Sequence, residues 1–308
     1  MGKYCQHVSM QVASKLSNKD LTVGITLVVV GTILFSSKAI VVKYAYTYGV
    51  EPLMLQALRM LFVLPLYSAI LSWLLIKGGS SAITTASLFG AICAGIACYH
   101  IASYLDLIGL MTISAGLERV ILFCYPAIAV IMGWVFLGEK PTKQIGLAVT
   151  VSYAGILLFF LADVNISGTG IWFGSVMVFI ASILTAWYMV ANQHYSRQMG
   201  SQRFTCIAMI AACTSMLSHA VVQGVEGIAA QPQPVYISAL GIAIFCTLIP
   251  SFMVSAGVKT IGASRAGVVG AIGPLITIVL SNWLLNEPVT SVHIIAIGLV
   301  IVGMRLLR

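Results

Sequence analysis

From Leu21 onward the chain is a succession of long apolar runs separated by short polar breaks. Each run approaches the roughly 20 residues that a helix needs to cross a bilayer core of about 30 Å. The pattern predicts ten transmembrane helices, over roughly 22–44, 52–76, 84–106, 112–137, 143–162, 168–194, 203–222, 236–257, 263–285 and 289–307. The breaks carry turn residues: Gly78-Gly79, Gly138-Glu139-Lys140-Pro141, Gly200-Ser201 and Pro232-Gln233-Pro234. None is long enough to hold a soluble domain. Residues 1–20 read as a short cytoplasmic tail. They do not read as a removable signal peptide, because the apolar run that follows is too long for one and lacks a small-residue cleavage site.

Composition agrees with this pattern. Hydrophobic residues make up 60% of the 308 residues and charged ones 8%, against about 45–50% and about 25% in a soluble domain. That excludes an ordinary cytosolic enzyme, a disordered protein and a disulfide-stapled secreted module. The formal net charge of +8 would suggest a nucleic-acid partner in a soluble protein. Here the basic residues mark topology, and no nucleic acid is expected. With the N-terminus inside, twelve Lys and Arg fall in inside segments and only Lys43 outside. Lys38, Arg59 and Arg119 lie within spans. This positive-inside bias places both termini in the cytoplasm and makes the span count even. The seven cysteines form no CxxC pair and no His/Cys ligand spacing, so free thiols are expected and neither a metal nor a cofactor.

The chain also matches itself. At an offset of 148 residues, Thr112-Ile113 meets Thr260-Ile261, Pro126 meets Pro274, Glu139 meets Glu287 and Gly155 meets Gly303. Twelve positions coincide over 112–160 without a gap. Five spans per half is an odd number, so the halves would cross the membrane in opposite directions. The expected architecture is therefore all-α and integral to the membrane: ten helices as two inverted five-helix repeats, 21–162 and 163–308. Inverted repeats are common in secondary transporters, which bind substrate near mid-membrane between the halves.

The same residues carry a family resemblance. Phe35-Ser36-Ser37-Lys38-Ala39-Ile40-Val41-Val42-Lys43 resembles an opening motif, and Ala57-Leu58-Arg59-Met60 with Pro65 a second-span motif. Leu117-Glu118-Arg119, Tyr125-Pro126 and Gly138-Glu139 resemble the fourth span and its loop, and Ile272-Gly273-Pro274 and Asn286-Glu287-Pro288 repeat that pattern. Over roughly 21–308 the chain resembles the drug/metabolite transporter superfamily and, within it, the EamA-like ten-helix exporters. The family pattern opens with Trp-Gly where this chain has Phe35-Ser36, which marks a subgroup. The resemblance implies a carrier for small metabolites, commonly amino acids and related compounds, exporting across an inner or plasma membrane.

Charges within spans supply the candidate chemistry. A charge at mid-bilayer costs at least about 2.5–3.5 kcal/mol on insertion scales, so it faces the bundle interior or water. Lys38, beside Ser36 and Ser37, either attracts a substrate carboxylate or phosphate or pairs with a carboxylate on a neighbouring helix. Arg59, with Gln56 on its face, either grips a carboxylate through two parallel hydrogen bonds or ties helices together. Glu118 and Arg119 lie in the outer third of the fourth span. Neighbours on a helix point about 100° apart, so the two are expected to contact different partners. Glu118, the one carboxylate well inside a span, is the candidate for proton coupling, the alternative being a structural ion pair. The surplus of cations favours an anionic or zwitterionic substrate, with Asp106 placed to offset one of them.

His100, flanked by Tyr99 and Tyr104, is either a substrate contact or a packed, hydrogen-bonded side chain. Trp187 and Tyr188 form either an aromatic wall for the substrate or ordinary packing. Pro126 and Pro274 each remove a backbone hydrogen bond and are expected to kink their helices as parts of a gate.

The leading function is a secondary carrier that moves amino acids or related zwitterions and anions out of the cytoplasm. It would work by alternating access through a cavity between the repeats. Carriers for nucleotide sugars or drugs are the alternative, and a membrane-embedded sensor or intramembrane enzyme is the alternative of another class. The chain has no HExxH, no GxSxG and no Walker pattern, so neither an enzyme nor a primary pump is expected. The expected partners are a small-molecule substrate, protons as a coupling ion, and the bilayer, for a monomer or homodimer.

Overall fold

The structure is a computed structural model that describes residues 18–77, 83–125, 127–129, 131–132, 143–164, 170–224, 227–261, 269–270 and 272–306. Regular structure among them is helical. The first predicted span is two helices, α1 (Asn18–Ser36) and α2 (Lys38–Tyr46). The second is α3 (Pro52–Ile76), begun by Pro52, whose fixed φ and missing N–H suit a first turn. The third runs through α4 (Thr85–Gly95), a π-helical segment Ile96–Ala102 and α5 (Ser103–Gly109). Thr84 and Ser87 close a capping box at its start.

The fourth span begins with α6 (Ala115–Leu122), followed by α7 (Lys143–Val164), α8 (Ile171–Met199) and α9 (Ser201–Val222). The eighth span is α10 (Gln233–Ala243), a second π-helical segment Ile244–Leu248, and α11 (Ile249–Ile261). The described parts of the last two spans are α12 (Gly273–Leu285) and α13 (Ser291–Leu306). Among the described residues, six stretches are long and apolar enough to cross a membrane: Leu21–Tyr46, Pro52–Ile76, Thr85–Gly109, Ile171–Asn192, Ser201–Val222 and Gln233–Val254. Tyr153–Asp163, Gly273–Leu285 and Ser291–Gly303 are shorter apolar helices.

Large apolar side chains cover the outside. Trp73, Phe89, Trp172, Phe173, Trp283 and Ile294 are all exposed. A water-soluble protein does not present so continuous an apolar surface. Large side chains such as Leu55, Tyr67 and Phe204 are buried inside, and small residues let some helices approach closely. A Cβ added at Gly95 would lie 2.1 Å from the Ala208 carbonyl oxygen, so α4 touches the backbone of α9 there. Gly155 meets the Ala296 carbonyl oxygen of α13 in the same way, at 2.6 Å.

The internal match recurs in the architecture. Thr85 and Gln233 begin helices of 11 residues, and Ile96 and Ile244 begin the π-helical segments. Lys143 and Ser291 begin α7 and α13. In each of these pairs the residues stand 148 positions apart. Packing partners correspond as well. Three spans pack on their own counterparts: α3 on α9, α6 on α12 and α7 on α13. Contacts of the third span with α9 and α8 are mirrored by contacts of the eighth span with α3 and α1.

Two expectations change. Pro274 does not kink the interior of a helix, because it lies in the first turn of α12, where its missing N–H has no partner to lose. Pro126, its counterpart, lies outside the described residues. The first span crosses as one stretch but is irregular at Ser37, whose own N–H and C=O still bond Ile33 and Val41. Carbonyls next to it are held from other helices, with Arg119 donating to the Phe35 carbonyl at 3.0 Å and Thr277 to the Ser36 carbonyl at 3.2 Å. The Ser36 hydroxyl in turn donates to the Gly273 carbonyl at 3.2 Å.

Candidate functional site

The charges that the sequence distributes over four spans converge. Lys38, at the start of α2, places its Nζ 2.5 Å from Asp106 Oδ2 of α5. Asp106 is buried. The Glu118 carboxyl of α6 lies next to that of Asp106. The two carboxyls are in side-chain hydrogen-bond contact, and Glu118 Oε2 is 3.8 Å from Arg119 Nε. Glu118 and Arg119 therefore do approach one another, contrary to the expectation from helix geometry. Their main neighbours still differ, Asp106 for the first and the Phe35 carbonyl for the second.

Arg59 of α3 completes the cluster. It is 4% exposed, it interacts with Asp106, and its Nε has no hydrogen-bond partner. One turn earlier, the Gln56 side-chain amide donates to the Tyr99 carbonyl at 3.0 Å, while its own oxygen is left unpaired. Lys38 thus pairs with Asp106 and Arg119 approaches Glu118, while Arg59 interacts with Asp106 from beyond ion-pair distance. Guanidinium stays protonated in proteins, and an unpaired buried ion costs several kcal/mol. By formal charge the cluster holds three cations and two carboxyls.

The remaining candidates are placed as follows. Tyr188 is buried and meets Tyr99 edge-on at 5.1 Å between ring centroids and Phe204 at 5.7 Å. Trp187 is turned to the exposed surface. His100 lies within the first π-helical segment, with Nδ1 2.9 Å from the Ser215 hydroxyl and Nε2 3.2 Å from His219 Nδ1. These bonds join the third span to α9. A cavity of about 560 Å³ on this flank is lined by Leu71, Ile92, Ile96 and Ile210, with Thr214, Ser215 and Ser218 as its polar members. It holds no charge to bind a polar metabolite.

A second cavity, of about 230 Å³, lies at the end of the bundle that the charge bias places outside. Two ties cross it. Glu287 accepts from the Ala115 backbone N–H at 3.0 and 3.1 Å and pairs with Lys43 Nζ at 3.1 Å. Asp163 accepts from Ser114 Oγ at 2.6 Å and stands 3.5 Å from His293 Nε2. Asp163 and His293 carry no signal in the sequence beyond their place at span ends.

A profile of the EamA-like transporter family matches residues 22–161 and 172–308. The chain belongs to the EamA-like transporter family. It is similar to the uncharacterized transporter YcbK of Bacillus subtilis (strain 168), at 28% identity over 93% of this chain and 94% of that protein. The uncharacterized transporter sll1319 of Synechocystis sp. (strain ATCC 27184 / PCC 6803 / Kazusa) is 25% identical over 95% of both chains. A solved crystal structure shares the fold at a TM-score of 0.62 and 14% identity, over 92% of this chain and 95% of that one.

The two ties across this cavity make a checkable seal. Ser281 lines that cavity and is 2% exposed. In a background without other cysteines, Ser281→Cys is expected to react slowly with an impermeant maleimide. Adding Glu287→Ala releases Lys43 and the α6 N-terminus and should speed labelling by about tenfold, the effect of about 1.4 kcal/mol on the opening equilibrium. Unchanged labelling would show that these contacts do not hold the end shut.

Proposed function

We propose that this EamA-family transporter is a secondary carrier for small carboxylate-bearing metabolites, with amino acids as the leading class. Arg59 is the carboxylate anchor. The observation that carries the reading is the buried Arg59, whose Nε has no hydrogen-bond partner and which belongs to no ion pair among the described residues. A bidentate carboxylate supplies both the missing charge and the missing acceptors. A nucleotide sugar brings a diphosphate, for which a single unpaired cation is a poor match. The ties at the outer end support a closed outer gate, as alternating access requires.

In this reading the chain is a multi-pass protein of the inner or plasma membrane, with both termini in the cytoplasm. Its two halves, 21–162 and 163–308, form inverted five-helix repeats. The common offset of 148 residues and the paired packing of counterpart spans support that arrangement.

Counterflow in proteoliposomes tests the proposal. Vesicles preloaded with unlabelled amino acids and small carboxylates should take up labelled substrate saturably, and rates at two pH values report whether protons share the path. Absence of exchange with every carboxylate would end this reading and favour nucleotide sugars or cationic drugs.

A further inference from the structure

Among the described residues, the outer cavity is lined by four side chains that carry or can gain a charge: Lys43, Glu287, Asp163 and His293. Lys43 and Glu287 pair with one another. Asp163 is 4% exposed and His293 2%, with the Phe159 ring 4.5 Å from the imidazole. The direction of each hydrogen bond around Asp163 follows from its donors. The Leu117 N–H donates to Ser114 Oγ at 2.9 Å, and the Ser114 hydroxyl donates to Asp163 Oδ2 at 2.6 Å. The Thr290 backbone N–H donates to His293 Nδ1 at 3.0 Å. Thr290 directly precedes α13, so His293 takes the accepting place of a capping box. A ring nitrogen that accepts carries no hydrogen. The imidazole is therefore neutral with its hydrogen on Nε2, which faces Asp163 Oδ1 at 3.5 Å. In this state two neutral groups face a buried carboxylate that has no counter-ion.

One proton supplies the missing charge. His293 Nδ1 can take it, because Thr290 Oγ1 lies 2.9 Å away as an acceptor. The Thr290 N–H then loses its partner, but one such bond contributes less than a counter-ion for a buried carboxylate. Opening the end brings water to both groups, and water solvates the carboxylate without help from the imidazole. The closed end thus holds the extra proton more tightly than the open one. We infer that Asp163 and His293 form a proton-binding latch, which takes up one proton from the outer side as this end closes and releases it as the end opens. A state that binds more protons is favoured as pH falls, so an acidic outer medium holds the end shut. The inference rests on the reading of these ties as an outer gate and applies whatever the substrate.

The test follows maleimide labelling of Ser281→Cys in the background without other cysteines, with the full chain in lipid nanodiscs. Rates are divided by those of Ala229→Cys, an exposed position, which removes the pH dependence of the thiol itself. One proton per closing event allows a change of up to about tenfold per pH unit. The normalised rate is expected to be at least about fivefold slower at about pH 6 than at about pH 8. His293→Gln keeps an acceptor for the Thr290 N–H and an N–H for Asp163 but takes up no proton, and should hold the two rates within about twofold. Equal rates at both pH values with His293 and Asp163 in place, or a faster rate in acid, would overturn the latch. So would absence of labelling at either pH while Ala229→Cys reacts. A His293→Gln protein that stays folded, by thermal unfolding, and keeps the full pH dependence would remove His293 from the proton site. If that variant unfolds, Asp163→Asn copies the shape of a protonated carboxyl and should label slowly at both pH values. Fast labelling or a retained pH dependence in that folded variant would remove Asp163 from it. Failure of carboxylate counterflow leaves these rates untouched and bears on the substrate reading alone.

Discussion

Arg59→Met is expected to abolish carboxylate exchange and to leave the protein at least as stable as before. These two effects point in opposite directions, which separates a ligand anchor from a structural tie. A cation that braces helices is paired, and removing it strands its partner. Breaking a buried pair costs about 3–5 kcal/mol. Arg59 has an unpartnered Nε and no ion pair among the described residues. Replacing it with an apolar side chain of similar length removes an uncompensated charge, and such replacements are neutral or stabilising by about 1–4 kcal/mol. Binding fares differently. Losing one side of a buried charged contact costs about 2–5 kcal/mol, or roughly 30- to several thousand-fold in half-saturation. Arg59→Lys should fall between, because an ammonium restores the charge without the planar fork. The measurements are thermal unfolding in detergent and counterflow half-saturation on the same preparations. A Met variant that melts earlier, with transport lost in proportion to folded protein, would return Arg59 to a structural role.

Much of the bundle was legible because lipid imposes a simple rule: a span must be long and apolar, and any charge in it needs a reason. The rule locates the helices to within a few residues and singles out Lys38, Arg59, Glu118 and Arg119. It gives no information on hydrogen-bond period. The π-helical segments at Ile96–Ala102 and Ile244–Leu248 have the same apolar composition as the α-helices that flank them. The irregularity at Ser37 was hidden for a similar reason. Its supports, Arg119 and Thr277, lie 84 and 241 residues away along the chain from the carbonyls they satisfy. Asp106 was visible only as a charge at a span end, and its place at the centre of the cluster depends on how α2, α5 and α6 meet. The outer ties join span ends that nothing in the sequence pairs. The reverse also holds: the offset of 148 residues found over spans four and five extends to spans three and eight, where few residues match.

Position along α6 ties these features together. Ala115, which receives Glu287, and Glu118 and Arg119, which belong to the charge cluster, occupy one eight-residue helix. Arg119 then reaches the irregular point between α1 and α2. The contact to Glu287, the charge cluster and the support of the Phe35 carbonyl thus share one element.

Lys38→Met is expected to destabilise the protein by about 3–5 kcal/mol, since it strands the Asp106 carboxylate, which is 2% exposed. Asp106→Leu should cost less, because Lys38 keeps some access to solvent, at 16% side-chain exposure, and a long stem lets its ammonium reach polar surroundings. The double variant Lys38→Met/Asp106→Leu should recover most of the loss, with a coupling energy of about 2–3 kcal/mol from a double-mutant cycle of unfolding in detergent. Recovery of fold without recovery of exchange is the expected signature, because the apolar pair restores packing but removes two charged groups from the cluster beside Arg59. If the two single effects simply add, the 2.5 Å pair is not what holds Asp106 in place. Lys38 would then be free to take a substrate carboxylate, and Lys38→Met should weaken the binding of carboxylic acids but not of their amides.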